Sequence, residues 1–302
     1  MPVRPRTWLY GSLVAAIGIA AIALTVLAFY HVRTLPEILK PAPTTKPSAS
    51  APATPSPTPS ATAPETPIYD RATERFLTST GDVLWRGIAG RCGSAEPLLE
   101  RSIDGGFTWA DVTPNYLAIK QLLAVAPFAD GEAEIIALVG ESCEVQLLRT
   151  FTQGQFWESY PDALRDAEYV NPEDPDIFVS PQGSVSAPCR GSHGMRTNED
   201  LTAVMCGDAA HLLVRGGDWA RIFPSEALAV DVVGEDAVVA HRSRSCDGIT
   251  ITRVSRGVVI PETPSSCVTL ASPTGPIAIE VTSDQALVWS GDEWATAGLD
   301  DG

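Results

Sequence analysis

A strand–turn–tryptophan pattern recurs along the second part of the chain and limits the folds that it can adopt. Each copy is a short apolar run, then a turn that usually contains glycine, then an aromatic residue that opens the next run. The copies end at Trp109, Trp157, Trp219, Val258 and Trp294, with valine replacing tryptophan in the fourth. No long apolar stripe of helical period occurs in this part of the sequence. Short strands joined by tight turns predict an all-β domain.

The spacing of the copies indicates the kind of all-β domain. Their anchor residues lie about 36 to 62 positions apart, which brackets the roughly 40–50 residues of one four-stranded propeller blade. We therefore predict a β-propeller over residues 68–302, with five four-stranded blades. The widest interval contains Tyr169–Ser180, which is either a long loop or an extra blade, and six blades are the alternative.

The first copy has the most complete turn, Ser102-Ile-Asp-Gly-Gly-Phe-Thr-Trp109. Ser and Asp side chains hydrogen-bond nearby backbone amides at turns, and glycine tolerates positive φ. The order S-x-D-x-G-x-T-W resembles the Asp-box, or BNR repeat, of the sialidase-like β-propeller superfamily, and the likeness covers about residues 70–300. The resemblance implies a structural turn between outer strands, away from the ligand face. The residues that it assigns to this structural role are Ser102, Asp104, Gly106 and Trp109, and the aromatic residues of the weaker copies are Trp157, Trp219 and Trp294.

A membrane anchor and a stalk are predicted before the propeller. Residues 8–30 carry no charge and, as a helix, span the roughly 30 Å of a bilayer core. A cleavable signal peptide is the rival interpretation, but its apolar part is usually shorter and ends at a small-residue site. We predict a retained signal-anchor after a cytoplasmic segment, residues 1–7. Residues 31–67, rich in Pro, Ser, Thr and Ala, predict a disordered extracytoplasmic stalk.

Six cysteines, all beyond the stalk, decide the predicted orientation. Basic residues flank residues 8–30 on both sides, so the positive-inside rule does not choose between the two orientations. An even number of cysteines suggests disulfides in an oxidising compartment, and therefore a single-pass plasma-membrane protein with its C-terminal domain outside. Among the many possible pairings, the positions in the repeat favour Cys92–Cys143, Cys189–Cys206 and Cys246–Cys267.

Charge and motifs exclude several functions. The net charge of −16 disfavours nucleic-acid binding. We predict no metal site and no cofactor, with Ca²⁺ at the acidic segment Asn171–Asp176 as an alternative to a solvated loop. The sialidase-like resemblance implies an arginine cluster and an Arg-Ile-Pro motif, whereas Arg221-Ile-Phe-Pro224 is only a near match and lies late in the chain. The sequence therefore nominates no catalytic residue, and whether the protein is an enzyme stays open, with binding favoured.

These observations predict a membrane-anchored extracytoplasmic propeller that serves as a binding or scaffold module. Its expected partner is a cell-surface protein or a cell-wall glycan. A sialidase-like or other glycoside hydrolase is the first alternative. The second alternative is an assembly factor for a membrane complex.

Overall fold

The computed structural model describes residues 69–255, 265–270, 275–282 and 284–299. The predicted cytoplasmic segment, signal-anchor and stalk lie outside these residues. Within the described ranges, no helix is both long and apolar enough to cross a bilayer. The helices among the described residues are three short 3₁₀ helices, at Arg71–Thr73, Asn115–Leu117 and Ala163–Asp166.

The described strands form six antiparallel sheets, each built from consecutive strands and numbered here in chain order. Sheet one contains β1 (Arg75–Thr80), β2 (Val83–Ile88), β3 (Leu98–Ser102) and β4 (Ala110–Asp111). Sheet two contains β5 (Ile119–Ala129), β6 (Glu132–Val139), β7 (Glu144–Thr150) and β8 (Glu158–Ser159). Sheet three contains β9 (Tyr169–Val170), β10 (Ile177–Ser180) and β11 (Gly183–Ser186).

The second half of the chain continues in the same way. Sheet four contains β12 (His193–Thr197), β13 (Leu201–Cys206), β14 (Ala209–Val214) and β15 (Trp219–Ile222). Sheet five contains β16 (Ala227–Val233), β17 (Asp236–Ser243), β18 (Cys246–Ser255) and β19 (Ser265–Val268). Sheet six contains β20 (Ile277–Val281), β21 (Gln285–Ser290) and β22 (Glu293–Gly298).

The fold is a β-propeller, and it has six blades. The prediction of five is therefore wrong, and the alternative of six is right. The additional blade is sheet three, formed by the segment that begins at Tyr169. Uniform four-stranded blades are not observed either, because sheets three and six each have three strands among the described residues.

The core is divided among the six places where neighbouring sheets pack face to face. The middle strands of the sheets read as continuous apolar runs because both of their faces are covered. In β17, for example, Ala237–Ala240 are all fully buried, between the cores that sheet five shares with sheets four and six. The cores between sheets one and two, four and five, and five and six each have eleven buried residues, but the core between sheets three and four has three.

Among the described strands, none is exchanged between the first and last sheets of the ring. Their strands come from β1–β4 and β20–β22, and β1 contacts β20 across the closure. Leu77 and Leu84 of sheet one pack there against Leu287 and Trp289 of sheet six. Apolar packing and the hydrogen bonds described below therefore replace the strand pairing that could have closed the ring.

Candidate functional site

The central channel opens into a cavity of about 580 Å³ that residues of all six sheets line. Five sheets begin with a strand beside the channel, namely β1, β5, β12, β16 and β20. In each of these strands, the residues that line the cavity reach to or near the C-terminal end of the strand, for example Ser79, Thr197 and Val281. Sheet three contributes Asp166–Tyr169 and the turn at Pro181–Gln182. We call this opening the mouth.

Asp231 is an almost fully buried acid beside the mouth, with 5 % of its surface exposed. One carboxylate oxygen accepts the backbone N–H of Val232 at 2.9 Å, and the other accepts that of Val281 at 2.7 Å. The Arg196 guanidinium lies 3.8 Å away. Burial raises the pKa of Asp231 to about 6, although Arg196 and the two amides oppose the rise.

Glu280 is the second acid at this position, on the neighbouring inner strand. Its Oε1 accepts the Ser79 backbone N–H at 2.8 Å and the Ser79 hydroxyl at 2.7 Å. Burial, followed by the charge of Asp231, raises the pKa of Glu280 to about 8, against the opposing effects of Ser79 and Arg196. At neutral pH this carboxyl group is therefore mostly protonated.

The two acids connect three consecutive inner strands. Asp231 of β16 accepts a hydrogen bond from β20, and Glu280 of β20 accepts one from β1. Each accepts a backbone amide from the next sheet, and the bond from Ser79 to Glu280 crosses the closure between sheets six and one. Each oxygen of Asp231 accepts one backbone amide, so the position of this carboxyl group is fixed by the strands that it joins.

The segment Tyr69–Glu74 lies at the other end of the channel. Its residues line a smaller cavity of about 310 Å³ together with the starts of β12, β16 and β20. The Tyr69 ring stacks on His193 with centroids 3.5 Å apart. Glu74 accepts the Gly194 N–H at 2.8 Å, and burial lowers the pKa of His193. These contacts hold the first described residues at the end of the channel opposite the mouth.

A groove of about 560 Å³ leaves the mouth between sheets three and four. Its apolar lining includes Phe178, Val185, Leu213 and Trp219. Trp219 packs at 5.7 Å on Phe178, and its indole N–H donates to the Ser186 carbonyl at 2.9 Å. The groove and the mouth have lining residues in common, namely Glu168, Gln182, Met195, Asn198 and Arg215.

The Ser102–Trp109 turn is a closed set of hydrogen bonds between β3 and β4. Asp104 accepts the Thr108 N–H at 2.9 Å and the Thr108 hydroxyl at 2.6 Å, while Gly106 N–H donates to Ser102 Oγ at 2.9 Å. The indole N–H of Trp109 donates to the Gly106 carbonyl at 3.0 Å. The bonds that Asp104 accepts, chiefly from the Thr108 hydroxyl, then from the Thr108 N–H and the Ser102 hydroxyl, lower the pKa of Asp104 to about 2.

The second sheet repeats this geometry with different side chains. Thr150 Oγ1 accepts the Gly154 N–H and Thr152 Oγ1 accepts the Phe156 N–H, both at 2.9 Å. The indole N–H of Trp157 donates to the Gly154 carbonyl at 3.1 Å. Thr150 and Thr152 thus occupy the places of Ser102 and Asp104, and the weakened second copy keeps the turn.

The remaining repeat aromatics differ in position. Trp219 opens the fourth strand of its sheet, as the pattern indicates, whereas Trp294 lies in the third strand of sheet six. Trp294 meets Trp109 edge to face at 5.6 Å. A Cβ at Gly106, whose φ is +92°, would lie 2.8 Å from the Trp294 ring, so this position needs glycine. Trp294 therefore packs against the first turn and is displaced by one strand in the repeat.

The turn lies at the same end of the strands as the mouth. Successive strands alternate in direction, so the β1–β2 and β3–β4 turns share one end of sheet one. The resemblance implies a turn away from the ligand face. In the structure, the turn instead occupies the outer edge of the mouth's end, and none of its residues lines the cavity.

All three predicted disulfides are present. Cys92–Cys143 joins sheets one and two, Cys189–Cys206 ties the loop before β12 to β13, and Cys246–Cys267 joins β18 to β19. The pairing derived from the repeat is therefore confirmed.

The acidic segment Asn171–Asp176 uses its side chains within the chain. Asn171 and Asp174 accept backbone amides within the segment, and Asp176 accepts the Gly191 N–H at 3.0 Å. Across the described ranges, no group of three or more His, Cys, Asp or Glu side chains is arranged to hold a metal ion. These contacts give no support to the alternative of a Ca²⁺ site.

The sequence analysis did not identify the two acids at the mouth, Asp231 and Glu280. Asp231 stands in Ala-Val-Asp-Val-Val, and Glu280 stands in Ile-Ala-Ile-Glu-Val. A single acid within an apolar strand is the available signal, because charged residues are almost never fully buried unless paired.

Comparisons with known proteins found similarity in structure alone. No family model matches the chain, and no curated protein matches it. A solved structure of the SapL1 lectin with α-methyl fucoside is 11% identical, with a TM-score of 0.46 over 78% of this chain and 95% of that chain. YCF48 bound to a D1 peptide is 14% identical, with a TM-score of 0.36 over 74% and 78%. The Hadza microbial sialidase Hz136 is 11% identical, with a TM-score of 0.31 over 71% and 49%.

Proposed function

We propose that the chain is a single-pass membrane protein whose propeller acts as an extracytoplasmic binding module through the mouth and the surface around it. The carrying observation is the distribution of exposed apolar side chains. Of the eight large ones among the described residues, six lie at the mouth's end: Ile103, Phe107, Phe128, Phe151, Phe156 and Val214. A gathering of apolar side chains on one face is typical of an interaction surface.

The place where the described chain enters the propeller supports the same surface. Tyr69, the first described residue, lies at the end of the channel opposite the mouth. The entry of the chain therefore does not cover the mouth. The expected partner is a cell-surface protein or a cell-wall glycan.

A matched pair of exposed phenylalanines tests this proposal. Phe107 is 90 % exposed at the mouth's end, and Phe223 is 57 % exposed at the other end. A photo-crosslinking amino acid is placed at each position in the full chain, in cells. We expect one crosslinked partner from position 107 and none from position 223. Equal crosslinking from both positions, or none from either, contradicts the proposal.

A glycan partner requires a second readout. The full chain in detergent is applied to a glycan array, with and without Gln182→Trp, which fills the mouth at an exposed lining position. Binding that this substitution abolishes supports a glycan ligand. Recovery of one stoichiometric membrane complex by crosslinking instead supports the role of an assembly factor.

We further propose that Ser102–Trp109 acts as an Asp-box turn with a structural role. Its support is that the side-chain oxygens of Ser102 and Asp104 accept hydrogen bonds from groups of the same turn. Its second copy, at Thr150–Trp157, repeats the arrangement without a carboxylate.

Glycoside hydrolysis is the second candidate function, and the pair Asp231 and Glu280 favours it. Two carboxyl groups, one of them protonated at neutral pH, are the groups that acid-catalysed glycoside cleavage needs. Against it stand the backbone bonds that occupy both acids. Turnover of fluorogenic glycosides by the full chain, lost in Glu280→Gln, would establish hydrolysis.

A further inference from the structure

We propose that the groove between sheets three and four binds an extended peptide that carries a basic residue. This inference rests on the proposed binding function and names the chemistry of its partner. Three observations support it: a thin interface, an edge strand and an acidic rim.

The interface between these sheets leaves apolar surface accessible. Its core has three fully buried residues, Val170, Phe178 and Val204. Leu213 and Trp219 line the groove and are only half-buried. Three other interfaces have eleven buried residues each, whereas this one leaves about 560 Å³ open.

An edge strand borders the groove. β11 pairs with β10 on one side and with no other strand among those described. Val185 and Ser186 of β11 line the groove, and Ser186 already accepts the Trp219 indole N–H. An extended peptide can add to such an edge through its backbone and place alternate side chains in the apolar groove.

The charges around the groove select the partner. Glu168, Asp200 and Asp218 line it, against one lining cation, Arg215. Arg215 donates to the Glu199 carbonyl at 2.5 Å, and the Thr197 hydroxyl donates to Glu168. The rim therefore carries an excess of two negative charges in a chain of net charge −16. A basic side chain beside the apolar ones complements this rim and speeds association.

Two exposed aspartates of sheet four give a matched test. Asp218 lies in the β14–β15 turn on the rim, and Asp208 lies in the β13–β14 turn at the opposite end of the same sheet. Neither substitution, Asp218→Lys or Asp208→Lys, removes a buried group. The full chain in detergent is titrated against the fluorescein-labelled peptide KVTVTVK, its acidic counterpart EVTVTVE and a fully N-methylated KVTVTVK, with fluorescence anisotropy as the readout.

We expect KVTVTVK to bind, the other two peptides to bind at least about tenfold more weakly, and added salt to weaken the binding. Asp218→Lys should weaken binding of KVTVTVK about fivefold or more, and Asp208→Lys less than about twofold. Trp219→Ala, checked for folding by circular dichroism, should also weaken it. Equal binding of the acidic peptide, or equal effects of the two lysine substitutions, would overturn the inference.

The crosslinking test keeps the two proposals separate. If KVTVTVK binds without regard to Asp218 while position 107 still captures its partner, the groove inference fails and the proposed function stands. If position 107 captures nothing while the groove variants behave as expected, the proposed surface fails instead.

Discussion

Glu280→Gln provides the sharpest test of how the ring is closed. Glu280 titrates in the folded protein near pH 8, and in the unfolded chain near its usual value of about 4.5. Between those values the folded state holds a proton that the unfolded state has lost. The free energy of unfolding must therefore fall as pH rises through this window.

The magnitude follows from the same linkage. One unit of pKa corresponds to about 1.4 kcal/mol, so we expect the wild-type free energy of unfolding to fall by about 2–4 kcal/mol from pH 5 to pH 8. Glutamine keeps an oxygen that accepts both bonds from Ser79 and does not titrate. The variant should therefore lose most of this decline and exceed the wild type in stability at pH 8.

Urea unfolding followed by tryptophan fluorescence, at several values between pH 5 and pH 8, measures the effect. Glu173→Gln, an exposed glutamate of the acidic segment, is the control and should leave the pH profile unchanged. A variant that keeps the wild-type pH dependence, or that is less stable than the wild type at pH 8, would refute the assignment of a protonated Glu280 at the closure.

Three further substitutions have expected outcomes. Asp231→Asn replaces one of two acceptors of backbone amides with an N–H donor, so it should destabilise the protein by about 1–3 kcal/mol in the same urea assay. Asp104→Ala should lower the melting temperature, because it removes the acceptor of both Thr108 hydrogen bonds. Because hydrogen bonds lower the pKa of Asp104 to about 2, its contribution is present above the unfolded pKa and disappears as pH falls through about 2, which thermal melts in acid measure. Thr152→Asp should give the Phe156 N–H a carboxylate acceptor and raise the melting temperature by about 1–3 °C or less, because Phe156 has no hydroxyl to match that of Thr108. A decrease would show that the two turns are not equivalent.

The sequence made the fold class predictable because its turns carry residues with strong local preferences. Tryptophans and glycines mark the turns of sheets one, two and four, and the cysteine positions follow the same repeat. Sheet three was predicted only as the alternative to a long loop, because its turns lack tryptophan and β9 has only two residues. Trp294 was assigned to the wrong strand because sheet six has the same local pattern between β21 and β22, its second and third strands. In sheets one, two and four the pattern joins the third and fourth strands.

The mouth was beyond sequence reasoning for a different reason. Arg196, Asp231 and Glu280 come from three sheets, and they approach one another only because the inner strands converge on the channel. Nothing in the local sequence of any one strand fixes that convergence. Each acid by itself resembles an occasional polar residue in a β-strand.

The comparison of the turn with the mouth decides where binding should be sought. Asp104 binds only groups of its own turn, so a ligand would have to break existing bonds to use it. The acids beside the mouth are also committed, because they hold three inner strands together. The groove differs from both, since no other described strand pairs with its edge strand and its apolar side chains Leu213 and Trp219 are only half-buried. Recognition at this end of the propeller should therefore depend on the groove and the exposed aromatic side chains, while the carboxyl groups keep the ring closed beneath them.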